Sequence, residues 1–158
     1  KLITYLGPDG RKIGVDDIRE AVGRSSSQTI FDFCDAVIDG NSAQAISALA
    51  DLIRSEREVL SIQSTLATQL RRLMAARVLL DRGSTQDEAA TTLSAGNPKV
   101  KWRESKAAAQ ASRLTQAQIA AMLSRIARAD LDIKTGAMSQ NLAMEVLVSD
   151  LCVQQKLR

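Results

Sequence analysis

Lys134-Thr135-Gly136 is where the residue types of this chain first suggest chemistry. A lysine, a hydroxyl and a glycine in that order form one element of serine acyltransferases. Such enzymes also need a serine with a lysine three residues later and an S-D-N triplet. No serine here has that spacing, and Ser149-Asp150 is followed by Leu151. The phosphate-cradling pattern G-x-x-x-x-G-K-[ST] is also missing. Asp16-Asp17 and Asp87-Glu88 stand where helices begin, and the positive end of the helix dipole accounts for them. The chain has no histidine, so it lacks the commonest general base and the commonest nitrogen ligand for metals. Cys34 and Cys152 lie far apart in apolar surroundings and read as small buried hydrophobes. The expectation is a chain that is not an enzyme and carries no metal or cofactor.

The triplet then reads as punctuation. Leu123, Ile126, Ala127, Leu131 and Ile133 mark a helix running into it. Lys134 suits the last turn, where a cation favours the dipole, and Gly136 suits the left-handed residue that stops a helix. Ser139 opens a return helix in which Leu142, Val146 and Leu147 are expected to pack back against the first.

Two further features concern charge. A helix opening at Pro98 places Lys99, Arg103, Lys106 and Arg113 on one face, with Trp102 at its edge. This is either a nucleic-acid surface with the indole as a stacking platform, or a solvated face with the indole anchoring the helix to a neighbour. The net charge of +3 permits a nucleic-acid partner without requiring one. Val100, Ala107, Ala111 and Leu114 form the adjacent core stripe. Arg77 falls inside the stripe Ile62, Leu66, Leu70, Leu73 and Leu80. It must snorkel to solvent, meet a carboxylate, or face a partner protein.

Helices must position all of these residues. The 158 residues are 45% hydrophobic but only 3% aromatic, so the core is aliphatic and large enough to stand without disulfides. Val15, Ile18 and Val22 mark a helix stopped by Gly23, and Arg24 to Gln28 is a serine-rich linker. Thr29, with Asp32 three residues on, is expected to cap a helix running to Gly40, and Ser42 to cap the next. A long helix follows from Val59 to Arg82, closed by Gly83. Thr85 and Glu88 form a capping box for a helix to Leu93, and Pro98 starts another. Thr115 with Gln118 caps a helix to Lys134, and Ser139 to Gln155 is the last. Short links between amphipathic helices predict an all-α antiparallel bundle. No stretch is long and apolar enough to span a membrane. The first residues read as the tail of a helix, so the chain is expected to be part of a longer protein.

The segment from Phe31 to Gly83 carries a Phe-x-x-x-Asp-Ala helix ending at Gly40, an Ala/Leu-rich helix, and a long helix with Gln69-Leu-Arg-Arg-Leu73. It resembles the collar region of the DNA polymerase III delta subunit family, and the resemblance continues through the Pro98 helix to Lys134-Thr135-Gly136. One departure is SAGNPKVKWRES, more polar than the family pattern after this proline. The resemblance implies a subunit of the bacterial clamp loader, an AAA+ type assembly that places the sliding clamp on primed DNA. Residues 1–24 would be the tail of the AAA+ lid, and 28–158 the helical collar that holds subunits together. It further implies partners of the delta prime and gamma/tau type and at most weak or indirect contact with primed DNA. The sliding clamp would be reached only through an N-terminal domain, and the location would be cytoplasmic.

Overall fold

Helix stops and caps recur between the described segments of this chain, and the architecture follows from them. The computed structural model describes residues 26–156. They form α1 (Ser26–Ile38), α2 (Ser42–Arg54), α3 (Val59–Asp81), α4 (Gln86–Leu93), α5 (Pro98–Ala111), α6 (Gln116–Lys134) and α7 (Gln140–Lys156). No strand occurs among the described residues. The helical segment expected before the linker lies outside them. No helix among them is long and apolar enough to cross a membrane.

Local hydrogen bonds set the starts. The Thr85 hydroxyl accepts from the Glu88 amide, and the Glu88 carboxylate accepts from the Thr85 amide at 2.7 Å. Thr115 and Gln118 repeat this box at the head of α6. Asn97 caps α5, accepting from the Lys99 amide at 3.0 Å, with Pro98 as the first helical residue. Two expected caps are displaced. α1 begins at Ser26, so Thr29 sits inside its first turn and the end of the serine-rich linker is helical. Serine is only mildly unfavourable in a helix, and tertiary packing outweighs so small a preference. At α2 the cap is Asn41, whose side chain accepts from the Gln44 amide at 3.2 Å; Ser42 is the first helical residue. Gly40, at φ +73°, has already turned the chain, which brings Asn41 into the capping position.

α3 is the central element, packing against α1, α4, α5, α6 and α7. Its Ile62, Leu66, Leu70 and Leu73 are fully buried and meet a core that includes Phe33, Leu49, Leu52, Met122, Met144 and Leu151. Buried Gln63 crosses this interior: its Nε2 donates to the Ile126 carbonyl at 3.0 Å, tying α3 to α6, and no buried side-chain polar atom among the described residues is left unmet. Cys34 and Cys152 are buried and not joined in a disulfide, and burial, reinforced by neighbouring Asp35, pushes the Cys34 thiol up to about 12.

α7 departs from its expected register. Ala143, Met144, Leu147, Val148, Leu151 and Cys152 face the core, whereas Leu142 and Val146 are exposed. Leu147 is buried as expected, but Leu142 and Val146 are not, because α7 packs against α1, α2 and α3 as well as α6, and these neighbours choose its inner side.

Candidate functional site

The basic helix α5 lies beside α1, and its Arg103 and Lys106 turn toward that helix. Lys106 Nζ pairs with the Asp35 carboxylate, and Gln110 Nε2 donates to the same carboxylate at 3.1 Å. Arg113 Nη2 reaches Asp39 Oδ1 at 2.7 Å. The Arg103 guanidinium lies over the Phe31 ring, 4.8 Å from its centroid, and 5.8 Å from the Trp102 ring. Lys99 is exposed, and Trp102 is 62% exposed. The five residues of the expected nucleic-acid face thus divide in place and role: four lie on α5, whereas Arg113, expected on the same helix, lies beyond its C-cap Ser112 in the turn to α6. Lys106 pairs with Asp35 of α1 and Arg113 with Asp39 in the turn that follows it, Arg103 stacks on an aromatic face, and Lys99 and Trp102 look outward. Lys101, on the flank, binds Asp87 of α4 at 2.8 Å.

The cleft between α1 and α5, bordered by Phe31, Asp35, Gln69 and Trp102, has a volume of about 100 Å³. Sites for small molecules and cofactors run to roughly 300–1,000 Å³. The cleft is a seam between helices rather than a ligand pocket.

Arg77 has a definite place at the junction of three helices. Its Nε donates to Asp81 Oδ1 at 2.9 Å, and Nη1 points at the carbonyls of Ala111 (3.3 Å), Ser112 and Leu114 (both 3.5 Å). Those carbonyls belong to the carboxyl end of α5, where acceptors lack helical donors and the dipole is negative. Asp81 also accepts from Gln116 Nε2, at the first residue of α6, at 2.7 Å. The hydrogen bonds from Arg77, and then from Gln116, hold the Asp81 carboxyl below its usual range. The cation that the sequence left to solvent, a carboxylate or a partner therefore joins α3, α5 and α6, with its side chain 18% exposed.

Lys134 and Gly136 sit at the α6–α7 turn. α6 ends at Lys134, Thr135 follows as the C-cap, and Gly136 has φ +73°. Lys134 Nζ bonds Asp130 Oδ2 at 2.6 Å, and the Thr135 hydroxyl donates back to the Leu131 carbonyl at 2.8 Å. Each polar group of the triplet thus serves the helix end. No cluster of three or more Cys, Asp or Glu side chains among the described residues is arranged to hold a metal ion.

Sequence reasoning missed the acceptors of Lys106 and Arg113. Asp35 and Asp39 are four apart and so share a face, a visible signal, but nothing local says that this face meets α5.

Three comparisons bear on the whole chain. Residues 27–151 match the family model described as DNA polymerase III delta subunit, C-terminal domain. The chain is 24% identical over 151 residues to DNA polymerase III subunit delta of Bacillus subtilis, covering 96% of itself and 42% of that protein. It is similar in fold to the solved structure of the Bacillus subtilis DNA clamp loader delta protein, with a TM-score of 0.70 at 24% identity. That match covers 96% of this chain and 43% of the other. The chain thus spans less than half the length of these relatives.

Proposed function

The chain belongs to the family formed by the C-terminal domain of the DNA polymerase III delta subunit, and on that premise we propose that it is an assembly domain, the helical collar that fastens one clamp-loader subunit to its neighbours. The observation that carries the proposal is the extent of the family match. It runs from residue 27 to 151, covering the bundle from α1 into α7. The proposed partners are the other clamp-loader subunits, of the delta prime and gamma/tau type. Contact with primed DNA is indirect or weak, and the sliding clamp is gripped by parts of the parent protein outside this domain. In this reading residues 28–158 are the collar, residues 1–24 are the tail of an AAA+ lid, and the work is done in the cytoplasm. The chain contributes no catalytic group.

The aliphatic bundle and the family match support a scaffold. The pairing of Lys106 with Asp35 and of Arg113 with Asp39 gives the nucleic-acid alternative no added support. The test is to coexpress the tagged chain with the remaining clamp-loader subunits and analyse the eluate by gel filtration with light scattering. The expected result is a complex containing the chain, stable to raised salt because apolar contacts are little screened. A chain that elutes alone while the other subunits assemble would overturn the proposal.

A further inference from the structure

The side chains that α4 and α5 bury differ in kind from those of the other helices. Every apolar residue buried on these two helices is alanine: Ala89 and Ala90 on α4, and Ala107, Ala108 and Ala111 on α5. Each of the other described helices buries at least two larger side chains of the Leu, Ile, Val, Met or Phe type. Leu93 and Val100, the larger aliphatic residues of the pair, are only half-buried. Stabilisation by burial scales with the apolar area removed from water, and an alanine side chain offers one methyl group. The rest of the attachment is polar. Lys106 and Gln110 hold Asp35 of α1, Arg103 lies over the Phe31 ring, Arg113 reaches Asp39, and Arg72 of α3 stands 3.9 Å from buried Glu104. The cleft of about 100 Å³ between α1 and α5, bordered also by Asp32, runs along this polar seam.

The pair leaves the bundle and returns to it at one place. α3 ends at Asp81 and α6 begins at Gln116, and Gln116 Nε2 donates to Asp81 at 2.7 Å. Arg77 donates to the carbonyls of Ala111, Ser112 and Leu114 beside them. Residues 82–115 thus form an excursion whose two ends are clasped together. Within it α4 packs on α5, and Lys101 bonds Asp87 across the pair at 2.8 Å. A segment joined to the rest at one point, tied within itself and seated on methyl groups can open without unravelling its neighbours.

We propose that the α4–α5 hairpin is a moving arm. It lifts from α1 and α3 as a unit about the Arg77–Asp81–Gln116 clasp, and the pairs Lys106–Asp35 and Arg113–Asp39 are its latch. Both pairs are partly exposed, so salt weakens them. Lifting bares the side of α3 that carries Gln69 and Arg72, with Leu73 and Ala76 beside them by helical spacing, and so alters the surface that the domain offers. The inference concerns the chain alone and stands apart from the assembly reading.

Native-state hydrogen exchange, read residue by residue by NMR, tests it. The chains compared are wild type, Asp35→Asn/Asp39→Asn and the control Asp150→Asn, which breaks a surface pair between α6 and α7. Sodium chloride is stepped from about 0.01 M to about 1 M, which shortens the screening length from about 30 Å to about 3 Å. The expected result is one opening shared by the amides of α4 and α5, which are at least about tenfold less protected than those of α3 and α6. Relative to α6, arm protection falls a further factor of about three or more in the double variant at low salt and in wild type at high salt, while the control matches wild type. Protection on α5 equal to that on α3 would show that no arm lifts. Opening of α4 with α5 still closed would reduce the effect to fraying and defeat the proposal equally. A loss shared by all helices in the double variant would make the pairs part of global stability, and the latch would fall. Arm protection that ignores both salt and the double variant would also overturn it.

Discussion

Arg77 divides one guanidinium between a carboxylate on its own helix and the carbonyl end of another. Removing it leaves the α5 carbonyls without that donor in a half-buried place. Arg77→Ala is therefore expected to cost about 2 kcal/mol, in line with hydrogen bonds involving a charged partner, read as a shift in urea midpoint. Arg77→Lys should recover only part, because an ammonium lacks the fork that reaches both acceptors at once. Asp81 and Glu88 contribute to the pH dependence. Arg77 chiefly lowers the Asp81 carboxyl, and the Thr85 amide, followed by its hydroxyl, lowers that of Glu88. Because both folded values lie below the unfolded ones, the unfolded chain takes up these protons first. Their stabilisation is complete above the ordinary values of 3.8 and 4.5 and is lost as pH falls through the folded values. Urea midpoints taken at neutral pH and near pH 3 should fall less in Asp81→Asn/Glu88→Gln than in wild type. An equal fall would show that these two bonds do not shape the acid response.

Helix ends, rather than surface ion pairs, should dominate stability at the scale of single elements. Thr115→Ala opens the capping box of α6 and is expected to cost about 1 kcal/mol. Lys106→Ala breaks a partly exposed pair with Asp35 and should cost less, under about 1 kcal/mol, since such pairs contribute little. The order of the two urea midpoints checks this ranking. Gly136→Ala isolates backbone strain at the hairpin. A Cβ there would meet nothing within 4 Å, so only the positive φ penalises it, by about 1 kcal/mol, and a wild-type midpoint would refute that. What was legible in the sequence follows the same division. The Thr85 and Thr115 boxes, Pro98 and Gly136 are each written in a few adjacent residues, and local reading suffices for them. Between Asn41 and Ser42 two good caps compete, and the turn at Gly40 decides. The inner face of α7 and the acceptors of Lys106 and Arg113 depend on which helices become neighbours, and no local pattern states that. Arg77 was marked as anomalous by its place in an apolar stripe, yet the carbonyls it meets lie 34 to 37 residues further along.

Over the whole molecule, α3 holds five other helices around one aliphatic core, leaving two outward surfaces of different character. One is the α6–α7 hairpin, where Leu131, Leu142, Val146 and Val153 are exposed. The other is α5, where the indole of Trp102 stands in solvent beside the Arg103 guanidinium. This is the sole tryptophan of the chain, so near-ultraviolet excitation reports on one surface only. Its emission should already be that of a hydrated indole in the native protein, and unfolding will change it little; circular dichroism is the better measure of melting. The same property makes the fluorophore a reporter of docking. A ligand that covers α5, nucleic acid included, would dehydrate the ring and move its emission to the blue. A partner that docks away from α5 would leave the spectrum where it was while the complex forms. One cuvette titration with non-fluorescent partners can therefore tell which side of the bundle has been taken.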